Sequence, residues 1–292
     1  MNQFTIKDLE NLSGIKAHTI RIWEQRYNFI KPNRTKTNIR YYTSEELKTI
    51  LNVSLLNKYG FKVSHINKMS ELELGQKILS LNQSEAQQER LLNELVQSMI
   101  ELKMQDFEVI LDNYISVKGL EKAINFLIFP FLEKIGILWL TNHVNPAQEH
   151  LVTNIIRQKL LVGIDKLPHP VHHTTSVLLF LPEGEYHELG LIYLHYILKE
   201  RGIRTIYLGS ASPSSDIQYL ANFLKPDYMY THLTTVAKNF HFDRFMDKIH
   251  QHLPNIPLII SGQLVSSWKK SVPPSIHFKK SRSEVMDFVN QI

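Results

Sequence analysis

Leu181-Pro182-Glu183-Gly184-Glu185-Tyr186-His187-Glu188-Leu189-Gly190 is the stretch on which the fold of this 292-residue chain turns. It comes after an apolar run at 177–181 that reads as a buried strand, and a helical pattern over 187–201 begins inside it. Strand, polar loop and helix in that order start a βα unit. The alternation continues downstream, with strand patterns at 205–208, 228–232, 258–261 and 276–278 and helical patterns at 214–223, 240–252, 264–269 and 283–291. Residues 169–292 are therefore expected to form a Rossmann-like, flavodoxin-like parallel sheet domain, whose ligands bind beyond the carboxyl ends of the strands.

The loop chemistry narrows the ligand. No Gly-x-Gly-x-x-Gly and no phosphate loop stands after the first strand, which argues against dinucleotides and nucleoside triphosphates. The loop carries Glu185-x-His187-x-x-Gly190 instead. Glu185 can hold one nitrogen of the His187 imidazole and leave the other to bind a metal. Gly190 lets the next helix approach closely. The chain has no cysteine, so disulfides, Cys-ligated zinc, iron–sulfur clusters and thiol nucleophiles are excluded, and a metal has to be met by histidine or carboxylate.

Upstream, residues 84–168 are helical and almost free of Gly and Pro, with patterns at 85–103, 105–117, 120–139 and 146–166. These predict a four-helix bundle, kinked in its third helix by Pro130. Residues 73–83 read as a linker. The turn before Pro146 folds the last two helices back on each other, so Trp139, Glu149 and His150 can meet near one end of the bundle.

Residues 1–72 have helix-turn-helix spacing. Thr5 caps a first helix with a Phe4/Leu9 staple, and Tyr42-Thr43-Ser44-Glu45-Glu46-Leu47 repeats the device. Ser13-Gly14 makes the turn between the first helix and a second near 17–25. On that second helix Ala17, Ile20 and Trp23 turn inward, while His18, Arg21 and Gln25 lie on the opposite face. The basic, turn-rich segment 31–42 reads as a β-ribbon wing carrying Arg34, Lys36 and Arg40. Charge agrees: the first 70 residues hold 12 Lys and Arg against 5 Asp and Glu, and the remainder 21 against 23. A basic head on a near-neutral body is the signature of a nucleic-acid binder, here of double-stranded DNA.

His18-Thr19-Ile20-Arg21-Ile22-Trp23-Glu24-Gln25-Arg26-Tyr27, with the wing and its Arg40-Tyr41-Tyr42 end, resembles the winged-helix DNA-binding domain of MerR-type regulators. That resemblance implies base or backbone contacts from His18, Thr19, Arg21, Gln25, Arg34, Lys36, Arg40 and Tyr41. The Glu-x-His-x-x-Gly loop resembles the cobalamin-binding domain, which implies His187 as the lower ligand of cobalt. The same resemblance assigns Thr231-His232-Leu233 and Gly262-Gln263 to the slot for the cofactor's nucleotide tail, with Thr in place of Ser and Gln263 in place of a second Gly.

Head, bundle and sheet domain in this order resemble the CarH/LitR family of adenosylcobalamin-dependent, light-responsive repressors. The resemblance implies that Trp139 covers the upper face of the cofactor while Glu149 and His150 contact its adenosyl group. Leu140 stands where light-sensing relatives carry a histidine, which implies a photoproduct not held by two histidines unless His143 substitutes. The resemblance also implies a repressor working as a homo-oligomer, dimer or tetramer. It would be a non-enzyme, since no Ser-His-Asp or paired-carboxylate constellation is present. Two other readings stay open: a regulator of the same architecture acting through a protein partner or another ligand, and a corrinoid carrier or enzyme subunit. No apolar run is long enough to span a membrane and the first residues lack a signal peptide's apolar core, so a cytoplasmic protein without membrane contact is expected.

Overall fold

The computed structural model describes residues 3–140, 145–168, 175–235, 240–266 and 268–292; the side chains of residues 137, 139 and 140 are not described. The chain forms two compact units, Met1–Ile156 and Arg157–Ile292.

The first unit begins with the head. Helices α1 (Ile6–Ser13), α2 (Ala17–Arg26) and α3 (Ser44–Lys58) surround a core of Phe4, Leu9, Ile20, Tyr42 and Leu47, all essentially inaccessible. Thr5 and Thr43 close capping boxes with Asp8 and Glu46, as their spacing predicts. The two anticipated staples join in one feature: Phe4 and Tyr42 exchange backbone hydrogen bonds of 2.8 Å each, tying the chain start to the end of the wing. The wing pairs β1 (Asn33–Arg34) with β2 (Arg40–Tyr41) in antiparallel register.

After a single turn, α4 (Val63–Ile66), the stretch expected to be a plain linker contains a helix, α5 (Glu71–Leu79). Its cause is local: Ser70 and Glu73 form a capping box, and Ile78 is buried. The bundle follows as α6 (Ser84–Ile100), α7 (Met104–Lys118), α8 (Leu120–Ala123), α9 (Phe129–Leu140) and α10 (Pro146–Lys166). Between α8 and α9, Ile124–Ile128 form a π turn, just ahead of Pro130, where the sequence predicts a kink. Proline has no amide hydrogen to donate to the Phe126 carbonyl; Gln88 Nε2 from α6 does so instead, at 2.7 Å. Phe107, Leu111, Leu127 and Phe131 fill the bundle core.

The second unit is a five-stranded parallel sheet built from β3 (Ser176–Pro182), β4 (Arg204–Ser212), β5 (Tyr228–His232), β6 (Leu258–Ser261) and β7 (Ile276–Lys279). Its order is β4-β3-β5-β6-β7. The order reverses between β3 and β5, which makes their carboxyl ends the ligand-binding crevice of this fold. Leu178, Phe180, Met229, Leu258 and Ile260 pack one face against α12 (Ser214–Leu224) and α13 (Phe242–His252). The opposite face meets α11 (Leu189–Glu200) and α15 (Arg282–Gln291), where Tyr230 stacks on Phe288. The short α14 (Gln263–Ser266) opens right after β6. Among the described residues, no helix is long and apolar enough to cross a membrane.

On α11, His195 stacks on Tyr207 with ring centroids 5.0 Å apart. Burial, with Lys199 nearby, lowers its pKa to about 4 from an ordinary 6.5. The unfolded chain therefore binds a proton that the fold refuses, and stability falls as pH drops from about 6.5 to about 4. Replacing His195 with Gln should flatten that part of the pH–stability curve of the full chain, measured by urea denaturation at pH 7, 6 and 5.

Candidate functional site

Glu185 is fully buried at the β3 end of the crevice. Such a carboxylate persists only if its oxygens are well supplied with donors. Its Oε1 accepts the backbone amides of Tyr186 and His187, each at 2.9 Å, and the His187 Nδ1 contact at 2.6 Å. Its Oε2 accepts the amides of Thr234 and Thr235 at 2.8 and 2.9 Å. Burial works to raise its pKa, but the bonds from His187 and Thr234 prevail and hold it below the ordinary carboxylate range. One side chain thus clamps the loops after β3 and β5 together and orients the imidazole. With Nδ1–H committed to the carboxylate, the neutral ring carries its ligating lone pair on Nε2. His187 itself is half exposed.

Two glycines bring the surrounding loops in. A Cβ at Gly190 would lie 2.5 Å from the His232 ring, so α11 starts this close to β5 only without a side chain there. His232 is held in turn by Ser261 Oγ at 2.8 Å, and Tyr230 shares that hydroxyl. Gly262 adopts φ +104°, and a Cβ there would stand 2.3 Å from the Leu233 carbonyl oxygen. The Leu233 amide donates to the Ser261 carbonyl at 2.8 Å, joining the β5 and β6 loops. Thr231 is fully buried on the face of β5 opposite His232, and its hydroxyl meets no hydrogen-bond partner among the described residues. Gln263 is exposed as the first residue of α14.

Glu188, next to His187, belongs to the same site although the motif does not mark it. Its Oε1 accepts the Ser210 amide at 3.1 Å and its Oε2 pairs with Arg157 of α10 at 2.8 Å. Ser210 lies where β4 departs from regular pairing, between Gly209 at φ +93° and Ala211 at φ +52°. The signal that could have found it is its place inside the loop, one residue past the histidine.

In the first unit, Glu149 is half buried and His150 exposed in the opening turns of α10. Asn145 and Gln148 cap that helix reciprocally: the Asn145 side chain accepts the Ala147 amide at 2.9 Å, and Gln148 Oε1 accepts the Asn145 amide at 3.0 Å. The buried Gln148 also donates to the carbonyls of Met99 and Ile100 at the end of α6. Trp139 belongs to α9, but its side chain, that of Leu140 and all of His143 lie outside the described residues.

In the head, His18, Arg21 and Gln25 share the exposed face of α2, with Thr19 half exposed beside them. Lys36 and Arg40 are exposed on the wing and Tyr41 is half exposed. Arg34 is exposed too, but its guanidinium closes the wing turn on Asn38 Oδ1 at 2.7 Å. Glu24, whose side chain is nearly buried, accepts from the Tyr42 hydroxyl and pairs with Arg40 at 3.7 Å. Burial and the Glu24 bond push the Tyr42 phenol pKa well up. Helix α2 and the wing are locked together by a carboxylate that helix spacing alone does not single out.

Residues 4–73 match the family described as MerR HTH family regulatory protein, and residues 91–162 match the B12 binding domain family. The chain is 26% identical to the HTH-type transcriptional repressor CarA of Myxococcus xanthus over 290 residues, covering 98% of this chain and 96% of the relative. It is 27% identical to the HTH-type transcriptional repressor CarH of the same organism over 273 residues, covering 90% of each. Among solved structures, the Methanosarcina barkeri monomethylamine corrinoid protein matches with a TM-score of 0.57 at 11% identity, covering 70% of this chain and 99% of that one. The head thus matches the MerR model and the helical segment 91–162 the B12-binding model, while the likeness to the corrinoid protein, which covers 70% of this chain, is one of fold.

Replacing Gly190 with Ala should cost about 1–3 kcal/mol in the sheet unit, because the His232 ring is pinned by Ser261 and cannot yield cheaply. Urea denaturation monitored by tyrosine fluorescence reads the loss. A Gly75→Ala control, where a Cβ meets nothing within 4 Å, should cost no stability.

Proposed function

We propose that this protein is a transcriptional repressor that binds its operator through the winged head and senses light through adenosylcobalamin bound over the β3–β5 crevice. The observation that carries the reading is the 2.6 Å contact between the buried Glu185 and the His187 Nδ1 at the point where strand order reverses. A corrin ring brings its own equatorial ligands and asks the protein for a single imidazole, which this geometry offers. The Thr231 hydroxyl, buried and without a protein partner among the described residues, and the Gly262 backbone, which tolerates no side chain, fit a slot for a polar tail. The names of the Myxococcus relatives add repression to the reading.

His187 would ligate cobalt from below, and Thr231, Leu233, Gly262 and Gln263 would line the tail slot. Trp139, Glu149 and His150 would meet the upper face. When bound, adenosylcobalamin supplies a cobalt–carbon bond that visible light breaks. The chain's part is to bind the intact form preferentially in one arrangement of bundle and sheet unit, and to assemble in that arrangement into a homo-oligomer. Ligand at about 100 times its dissociation constant contributes about 2.7 kcal/mol per site, and linked heads multiply that through effective concentration on DNA. His18, Thr19, Arg21 and Gln25 would read the major groove, with Lys36, Arg40 and Tyr41 on the backbone or minor groove and Arg34 shaping the wing. The protein would act as a binder throughout, with no catalytic residue.

A second reading, regulation without cobalamin through a protein partner or another ligand, draws on Gln263, whose side chain stands where the tail slot of cobalamin domains has a glycine. One experiment separates the two. Purified protein mixed with adenosylcobalamin in the dark should shift the cofactor's absorbance and bind operator DNA; illumination should release the DNA. His187→Ala should abolish the shift, whereas Arg21→Ala should retain it and weaken operator binding at least tenfold, the cost of about 1.4 kcal/mol of base contact. Absence of any shift with the wild-type protein would favour the second reading.

A further inference from the structure

The last four carbonyls of a helix have no partners within it. In α1 the Glu10 carbonyl takes the Gly14 amide at 2.8 Å, and the Ser13 carbonyl takes the Ser54 hydroxyl of α3 at 2.7 Å. The Leu12 carbonyl is approached from outside the head: Lys134 Nζ of α9 lies 3.5 Å from it and 3.1 Å from Oδ1 of the buried Asn93 of α6. No basic residue stands in the last turn of α1, so the cation that a helix C-terminus favours is supplied by the bundle. A second lysine crosses the other way, Lys58 of α3 pairing with Glu89 of α6 at 2.6 Å.

Both lysines line one cavity of about 640 Å³, whose walls are the Leu12–Ile15 turn of the head and the α6 and α9 faces of the bundle. Besides the lysines, Glu85 and Glu89 are its charged groups, so the cavity is close to neutral. Such a seam, with an open volume, one ion pair and one lysine held by a carbonyl and an amide oxygen, can open at less cost than a packed core. Its tether on α9 stands five residues before Trp139 on the same helix.

We propose that Lys134 and Lys58 dock the DNA-binding head on the bundle, and that α9 carries the ligand state of its C-terminal end to this docking point. The coupling rests on the cobalamin reading above; the docking does not. Head orientation is then set by the same rigid helix that meets the cofactor, and operator affinity tracks the ligand through a seam inside one chain as well as through oligomerisation.

The test uses the full chain. Lys134→Met keeps the stem and removes the charge; Lys58→Met does the same on the exposed side, where the fold carries no risk. Hydrogen–deuterium exchange at the Gly14 and Ile15 amides should rise at least tenfold in Lys134→Met and less in Lys58→Met. The absorbance of bound adenosylcobalamin should match the wild type, while the light-to-dark ratio of operator Kd should fall to at most half its wild-type value, the part carried by oligomerisation remaining. Unchanged exchange in both variants would overturn the docking, and a wild-type ratio in Lys134→Met would overturn the coupling. If the wild-type protein takes up no adenosylcobalamin, the functional reading fails, and exchange alone decides the docking.

Discussion

A carboxylate with no access to water organises the sheet unit. Glu185 is placed where two loops leave the sheet, and each of its oxygens is filled by donors from a different one. Charge-assisted bonds of this kind are worth about 1.5–3 kcal/mol each, and losing any one exposes the desolvation cost of the rest. The loops therefore close together or not at all. The orientation of His187 is a by-product of this closure, which is why a motif of three residues can organise an arrangement that spans two strands.

The first unit obeys the same logic with weaker parts. Its helices repeatedly leave a carbonyl unmatched, and a side chain from another element fills it: Gln88 at Phe126, Gln148 at Met99 and Ile100, Ser54 at Ser13, Lys134 at Leu12. Each substitutes a tertiary contact for one the helix cannot make. Most of these contacts involve α6 as donor or acceptor, so that helix serves as the reference against which head, π turn and α10 are positioned. The head and bundle form one compact unit for this reason, although their sequences read as separate modules.

Periodicity and capping made most of the fold legible. The strands at 228–232 and 258–261 and the helix at 146–166 run between the residues their patterns imply, because apolar alternation and Pro146 mark them sharply. The helix over 71–79 is hard to read because its capping box, Ser70-x-x-Glu73, overlaps a polar stretch with one buried residue, Ile78. The π turn is invisible in the sequence because its cause is a glutamine 38 residues upstream of the carbonyl it serves. In the site, Glu185, His187 and Gly190 can be read from spacing since they share one loop. Glu188 shares that loop, but its role, like that of Glu24, cannot be read there, since their partners, Arg157 and Ser210 for one and Tyr42 and Arg40 for the other, come together only on folding.

Glu24 has a thermodynamic consequence for DNA binding. A free β-ribbon that must be immobilised on contact loses backbone entropy of about 1–2 kcal/mol per residue, and that loss weakens every complex alike. Here Glu24 ties the wing to α2 through Tyr42 and Arg40, so much of this ordering would be complete before any duplex is met. In the proposed complex the head would meet the duplex as one stiff surface, and a base pair that misfits α2 would also lift the wing from the backbone. Discrimination between sequences would thereby be amplified by contacts that read no sequence at all.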